Sequence, residues 1–138
     1  PLSLVQVRSV MHTEGYDELP AEMPLVKALE RCKDSAARWF VVRGEGGRFA
    51  GIVSLHEMRL AIAEDQLARL LVLADITEKL QPRLTPEMTI KEALSGFIAS
   101  DAEVLPVFER AQAGAGFVGL VSRMDALGAY QELTRESP

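Results

Sequence analysis

The chain repeats itself. Leu19-Pro20-Ala21-Glu22-Met23-Pro24-Leu25-Val26-Lys27-Ala28-Leu29 falls onto Leu84-Thr85-Pro86-Glu87-Met88-Thr89-Ile90-Lys91-Glu92-Ala93-Leu94 at an offset of 65, with Leu, Glu, Met, Ala and Leu identical. Trp39-Phe40-Val41-Val42 falls onto Leu105-Pro106-Val107-Phe108 at an offset of 66. Phe49-Ala50-Gly51-Ile52-Val53-Ser54 falls onto Phe117-Val118-Gly119-Leu120-Val121-Ser122 at an offset of 68. One such block could arise by chance; three in the same order mark a tandem duplication. A half of this size leaves one apolar sheet face uncovered, so two copies in one chain are expected to pack on each other about a pseudo-twofold axis.

Each half reads the same way locally. Leu25, Ala28, Leu29 and Cys32 recur at the spacing of one helix face, and Ile90, Ala93, Leu94, Phe97 and Ile98 repeat it. Pro24 suits a helix start, and Thr89 with Glu92 forms a capping box. Two short apolar runs around a glycine-bearing turn follow in each half: residues 39–43 and 49–53, then residues 104–108 and 117–121. That is a hairpin signature. Each hairpin ends in Ser-x-x-acid, Ser54 to Glu57 and Ser122 to Asp125, where helical spacing resumes. With a short strand near Leu19 and Leu84, the expected fold is α/β in the mixed α+β sense: two β-α-β-β-α repeats. Their expected bounds are residues 5–63 and 81–134, joined by residues 64–80, which also hold the start of the second repeat.

Composition narrows the function classes. The 138 residues carry 15 Lys plus Arg against 20 Asp plus Glu, a net charge of −5 with no basic run, which argues against nucleic acid as a partner. Cys32 is the single cysteine, so no internal disulfide can form. No apolar run approaches the roughly 20 residues of a membrane helix, and no secretory leader is evident. Pro1 stands where an initiator Met is expected, as in a processed or excised segment.

Gly51-Ile52-Val53-Ser54-x-x-Glu57 and Gly119-Leu120-Val121-Ser122-x-x-Asp125 resemble the closing motif of CBS domains, the modules named after cystathionine β-synthase. Leu105-Pro106-Val107 resembles their second-strand motif. Val7-Arg8-Ser9-Val10-Met11 and Leu73-Ala74-Asp75-Ile76-Thr77 resemble their leading element. The resemblance covers residues 5 to 134 and implies a tandem CBS pair, or Bateman module. Residues 71–76 and 121–130 are also similar to the cytoplasmic CBS pair of CLC chloride channels and chloride/proton exchangers. That resemblance implies a regulatory, non-enzymatic module on the cytoplasmic face, attached to a transmembrane transport domain and forming a homodimer. The alternatives are a dimerisation scaffold without ligand, or an energy-sensing module of an enzyme or a free-standing CBS protein.

CBS pairs often bind adenine nucleotides in clefts between repeats; no cofactor is required, and the ligand implied is AMP, ADP or ATP. One cleft would use Ser122, Arg123 and Asp125, faced by Thr13, Arg38, Trp39 and Val41. Asp125 would accept from ribose hydroxyls; Ser122 and its helix N-terminus would meet phosphate. The second, weaker cleft would use Ser54 and Glu57, faced by Thr77, Glu103 and Pro106. Plain helix capping explains the same Ser-x-x-acid spacing, and at Glu57 it is the favoured explanation. Glu57 is longer than the family's Asp, and Phe40 is placed where the family has proline. His12 and His56 have no partner at metal-ligand spacing. Cys32 and the five methionines read as core.

Overall fold

The computed structural model describes residues 5–78 and 81–136. The chain divides into two compact units: an inner unit of residues 15–79, and a split unit of residues 1–14 with 80–138.

In the inner unit, β1 (Asp17–Pro20) runs parallel to β2 (Trp39–Arg43), which pairs antiparallel with β3 (Phe49–Ser54). Helix α1 (Leu25–Cys32) makes the crossover and α2 (Leu55–Glu64) follows β3 directly. Leu25, Ala28 and Cys32 are the buried face of α1, as their spacing predicts, and Pro24 sits just ahead of it as the cap. A 3-10 turn, Gln66–Leu70, and the short α3 (Leu73–Ile76) complete the unit.

The split unit holds α4 (Ile90–Ser100), the hairpin of β4 (Val104–Phe108) with β5 (Phe117–Ser122), and α5 (Arg123–Glu136). The strand expected near Leu84 shrinks to one parallel bridge, Leu84 with Val107. Leu84 donates to the Pro106 carbonyl (3.1 Å) and accepts from the Phe108 amide (2.8 Å). Pro82 stands where Asp17 opens β1, and a proline cannot donate to a ladder.

Strand register corrects the repeat alignment by one residue. Trp39 faces Ser54 and Val104 faces Ser122, so Trp39 corresponds to Val104 and Val41 to Pro106. The offset here is 65, not 66. A slip of one residue turns every side chain to the other sheet face. The true register puts Phe40 and Val42, and likewise Leu105 and Val107, into the two cores. Val41, not Phe40, therefore occupies the proline position.

The two leading segments are exchanged. Val7 and Arg8 donate to the carbonyls of Met88 (2.7 Å) and Pro86 (3.0 Å), and Ile90 donates to Val5 (3.0 Å). Leu73 and Ala74 donate to Met23 and Ala21 (both 2.9 Å), and Leu25 donates to Leu71 (2.8 Å). Val7 and Leu73 are fully buried, one in each core. The packing units thus differ from the sequence repeats: residues 5–14 pack with the second half, and residues 64–78 with the first. A leading segment's apolar pattern tells that it must be buried, not on which half.

Met23 and Met58 are core residues, but Met124 is 75% exposed and fills no core. With Ile98 at 84% and Leu127 at 44% it leaves apolar side chains of α4 and α5 uncovered. Among the described residues no helix is long and apolar enough to cross a membrane.

Candidate functional site

Four helices open with an acid three residues beyond the cap, and the four acids are used differently. Ser54 Oγ accepts from the Glu57 amide (3.1 Å), while Glu57 Oε1 accepts from the Ser54 amide (3.1 Å) and hydroxyl (3.0 Å). Thr89 and Glu92 repeat this at α4, as their spacing predicts. Asp75 accepts from the Val72 amide (2.8 Å). Each of these carboxylates is turned back onto its own helix start.

Asp125 has a second partner beyond its own helix start. Its amide donates to Ser122 Oγ (3.0 Å), so Ser122 caps α5, but its carboxylate Oδ2 meets His12 Nε2 at 2.6 Å. An ionised carboxylate only accepts, so the imidazole nitrogen carries the hydrogen. The His12 hydrogen bond holds the Asp125 carboxyl below its ordinary 3.8, aided by Ser122 and by the positive charge of His12 when protonated, and opposed by partial burial. A carboxylate whose folded value is depressed stabilises the fold above its unfolded value. That contribution is lost as pH falls through the folded one. Half-exposed side chains keep it below about 1 kcal/mol. On acidification from about pH 4 to about pH 2, wild type should therefore lose slightly more stability than Asp125→Asn. Paired thermal melts check this; equal losses would remove the pair from the acid response.

The remaining candidates can be placed one by one. Thr13 is exposed and follows His12 beside Gly119; its methyl would lie 3.7 Å from a side chain at that glycine. Arg123 is engaged within its own unit, with Glu103 at 2.5 Å and Asp101 at 3.9 Å. Glu103 also accepts, through its carbonyl, from the Arg123 amide (2.8 Å). Pro106 is buried in β4. Ser122, Arg123, Asp125 and Thr13 are thus all in the split unit, with Glu103 and Pro106.

Arg38, Trp39 and Val41 lie at or on β2 of the inner unit, with Ser54, Glu57 and Thr77. Thr77 is buried and donates to the Leu73 carbonyl (2.6 Å). It lines an inner-unit cleft of about 420 Å³ with Glu22, Glu45, Arg48 and neighbouring small residues. Cys32 is buried, and burial together with Asp17 pushes its thiol up, against a smaller pull from Arg31. It is therefore a protonated core group, as its place on the α1 face predicts.

His12 is the site residue that sequence reasoning missed. It lies 113 positions from Asp125 and no motif links them. Only the exchange of leading segments brings them together.

Residues 7–64 match the CBS domain family. No curated protein matches the sequence. Several solved structures share the fold. The cytosolic domain of the Mg2+ channel MgtE in complex with ATP gives a TM-score of 0.68 at 21% identity, over 91% of this chain and 48% of that one. CBSX2 in complex with AMP gives 0.71 at 16% identity, over 95% and 99%. The CBS domain of the bacterial CNNM/CorC family Mg2+ transporter in complex with ATP gives 0.71 at 19% identity, over 91% and 87%. The chain therefore spans about half of the MgtE cytosolic domain. Residues 7–64 are thus similar to the CBS domain family, and the chain shares its mixed α+β fold with these structures.

Proposed function

We propose that the chain is a regulatory module that binds an adenine nucleotide and biases an attached membrane transporter, without catalysing a reaction itself. The observation that carries this reading is the half-exposed Asp125 carboxylate at the start of α5, next to Ser122 and reached by His12. It offers an acceptor for ribose hydroxyls next to a helix N-terminus suited to phosphate. Fold neighbours solved with ATP or AMP support the ligand class. Two of them come from Mg2+ transport proteins, which supports attachment to a transporter. A CLC chloride channel or exchanger as that transporter rests on the resemblance of residues 71–76 and 121–130 alone. Arg123 already pairs with acids, which favours AMP or ADP over a triphosphate.

The test is a melting-temperature titration with AMP, ADP and ATP. At 100 times the dissociation constant, a ligand stabilises the fold by about 2.7 kcal/mol, or about 5–10 °C at this chain length. Asp125→Ala should abolish the shift. Glu57→Ala should keep most of it, because that carboxylate serves its own cap. Cap loss itself costs about 1 kcal/mol, so shifts are compared with shifts. No shift with any of the three at millimolar concentration leaves the scaffold reading in its place.

The scaffold reading has its own observation. A groove of about 680 Å³ between α4 and α5, lined by Leu94, Phe97, Ile98, Leu127 and Tyr130, opens to solvent. A second copy covering it would make the homodimer. Sedimentation giving only the 15.1 kDa monomer would refute that.

A further inference from the structure

We propose that His12 is a built-in competitor for the Asp125 carboxylate, which a ribose-bearing ligand must displace before it can bind. This rests on the nucleotide reading above. Three comparable acids, Glu57, Asp75 and Glu92, accept from their own cap residues. Asp125 meets its cap hydroxyl on Ser122 as well, but it alone accepts from a distant segment, from His12 at 2.6 Å. The imidazole is delivered by fixed backbone: the His12 amide donates to Leu120 (2.7 Å) and the Leu120 amide returns to the His12 carbonyl (2.9 Å). The segment cannot leave without breaking both bonds, but the side chain can. His12 and Asp125 side chains are 58% and 48% exposed, so a ligand reaches the pair from solvent.

The exchange has a direction. The imidazole offers the carboxylate one donor, whereas a vicinal ribose diol offers two. A ribose therefore wins the contest, but its apparent affinity is reduced by the fraction of protein in which the pair is closed. A deoxygenated sugar has nothing with which to displace the ring. His12 thus acts as a specificity element for the diol, set on the opposite end of the chain from the residue it guards.

The experiment is calorimetric titration of the full chain with AMP and with 2′,3′-dideoxy-AMP, on wild type, His12→Ala and His12→Gln. In parallel, the Asp125 side-chain carboxyl is titrated by carbon NMR without ligand. His12→Ala should bind AMP about 2- to 5-fold more tightly, the size of a half-exposed pair. His12→Gln, whose amide can still donate to Asp125, should stay near wild type. Dideoxy-AMP should show no gain from His12→Ala. The Asp125 carboxyl should titrate higher in His12→Ala than in wild type. An unmoved Asp125 titration overturns the pair itself, whatever the nucleotides do. A raised titration with AMP affinity unchanged or weaker overturns the competition and leaves the nucleotide reading standing. No AMP binding to any variant overturns both.

Discussion

A fragment of residues 15–79 is expected to fold alone, and a fragment of residues 5–63 is expected not to. The two are nearly equal in length, and the second is the repeat as the sequence draws it. It lacks Leu73, fully buried in the inner core, and Ala68 beside it. It also lacks the bonds that join Met23, Ala21 and Leu25 to residues 71–74. Emptying one buried Leu site costs about 2–5 kcal/mol, and each lost backbone bond about 1 kcal/mol. The sum, about 5–8 kcal/mol, matches the whole stability of a unit this size, roughly 3–10 kcal/mol. The fragment also carries Val7 with no core to enter. Circular dichroism and amide dispersion separate the two outcomes; cooperative unfolding of residues 5–63 would show that the exchange adds nothing to stability.

The second large effect is expected at two glycines that the leading segments lie against. Gly51 has φ +156°, and a Cβ there would run into the Thr77 methyl. Thr77 cannot swing away, since it is buried and its hydroxyl is bonded to Leu73. A Cβ on Gly119 would stand 2.7 Å from the His12 carbonyl oxygen, which is backbone. Gly51→Ala and Gly119→Ala should each cost about 3 kcal/mol, through overpacking and, at Gly51, strain. That lowers the melting temperature by about 10 °C. Gly128→Ala is the contrast: Gly128 lies inside α5 with nothing within 4 Å, so alanine there should gain about 0.5–1 kcal/mol. Equal melting points for all three variants would refute the close approach.

The elements were legible in the sequence where local chemistry decides them. Helix α1 follows from Leu25, Ala28 and Cys32, α4 from the Thr89 box, and both hairpins from glycine turns between β-forming runs. The mixed α+β class followed from their order. What the sequence hid was non-local. The one-residue slip at Phe40 needed the cross-strand partner, because two apolar runs of similar length align equally well at 65 and 66. Met124 looked like core because methionine usually is. The destination of each leading segment is decided by carbonyls about 50 to 80 positions away, as with Leu73 on Met23 and Val7 on Met88. Half of the candidate site was legible too: Ser122 and Asp125 stand in a motif. Its other half, His12, carries no signal, since an isolated His in an exposed segment looks the same with or without a partner.

The exchange also sets an order of events on the ribosome. The inner unit is complete once residue 79 has emerged, and can fold behind the advancing chain. Residues 5–12 are made before the inner unit but find their last backbone partner, Leu120, more than a hundred residues later. At roughly 5–20 residues per second that is a wait of about 5–20 s. Throughout it Val7, Val10 and Met11 are exposed, an apolar stretch with no sheet to join. A segment made before the inner unit is thus fixed after it, and its vulnerable period is set by translation speed rather than by folding speed.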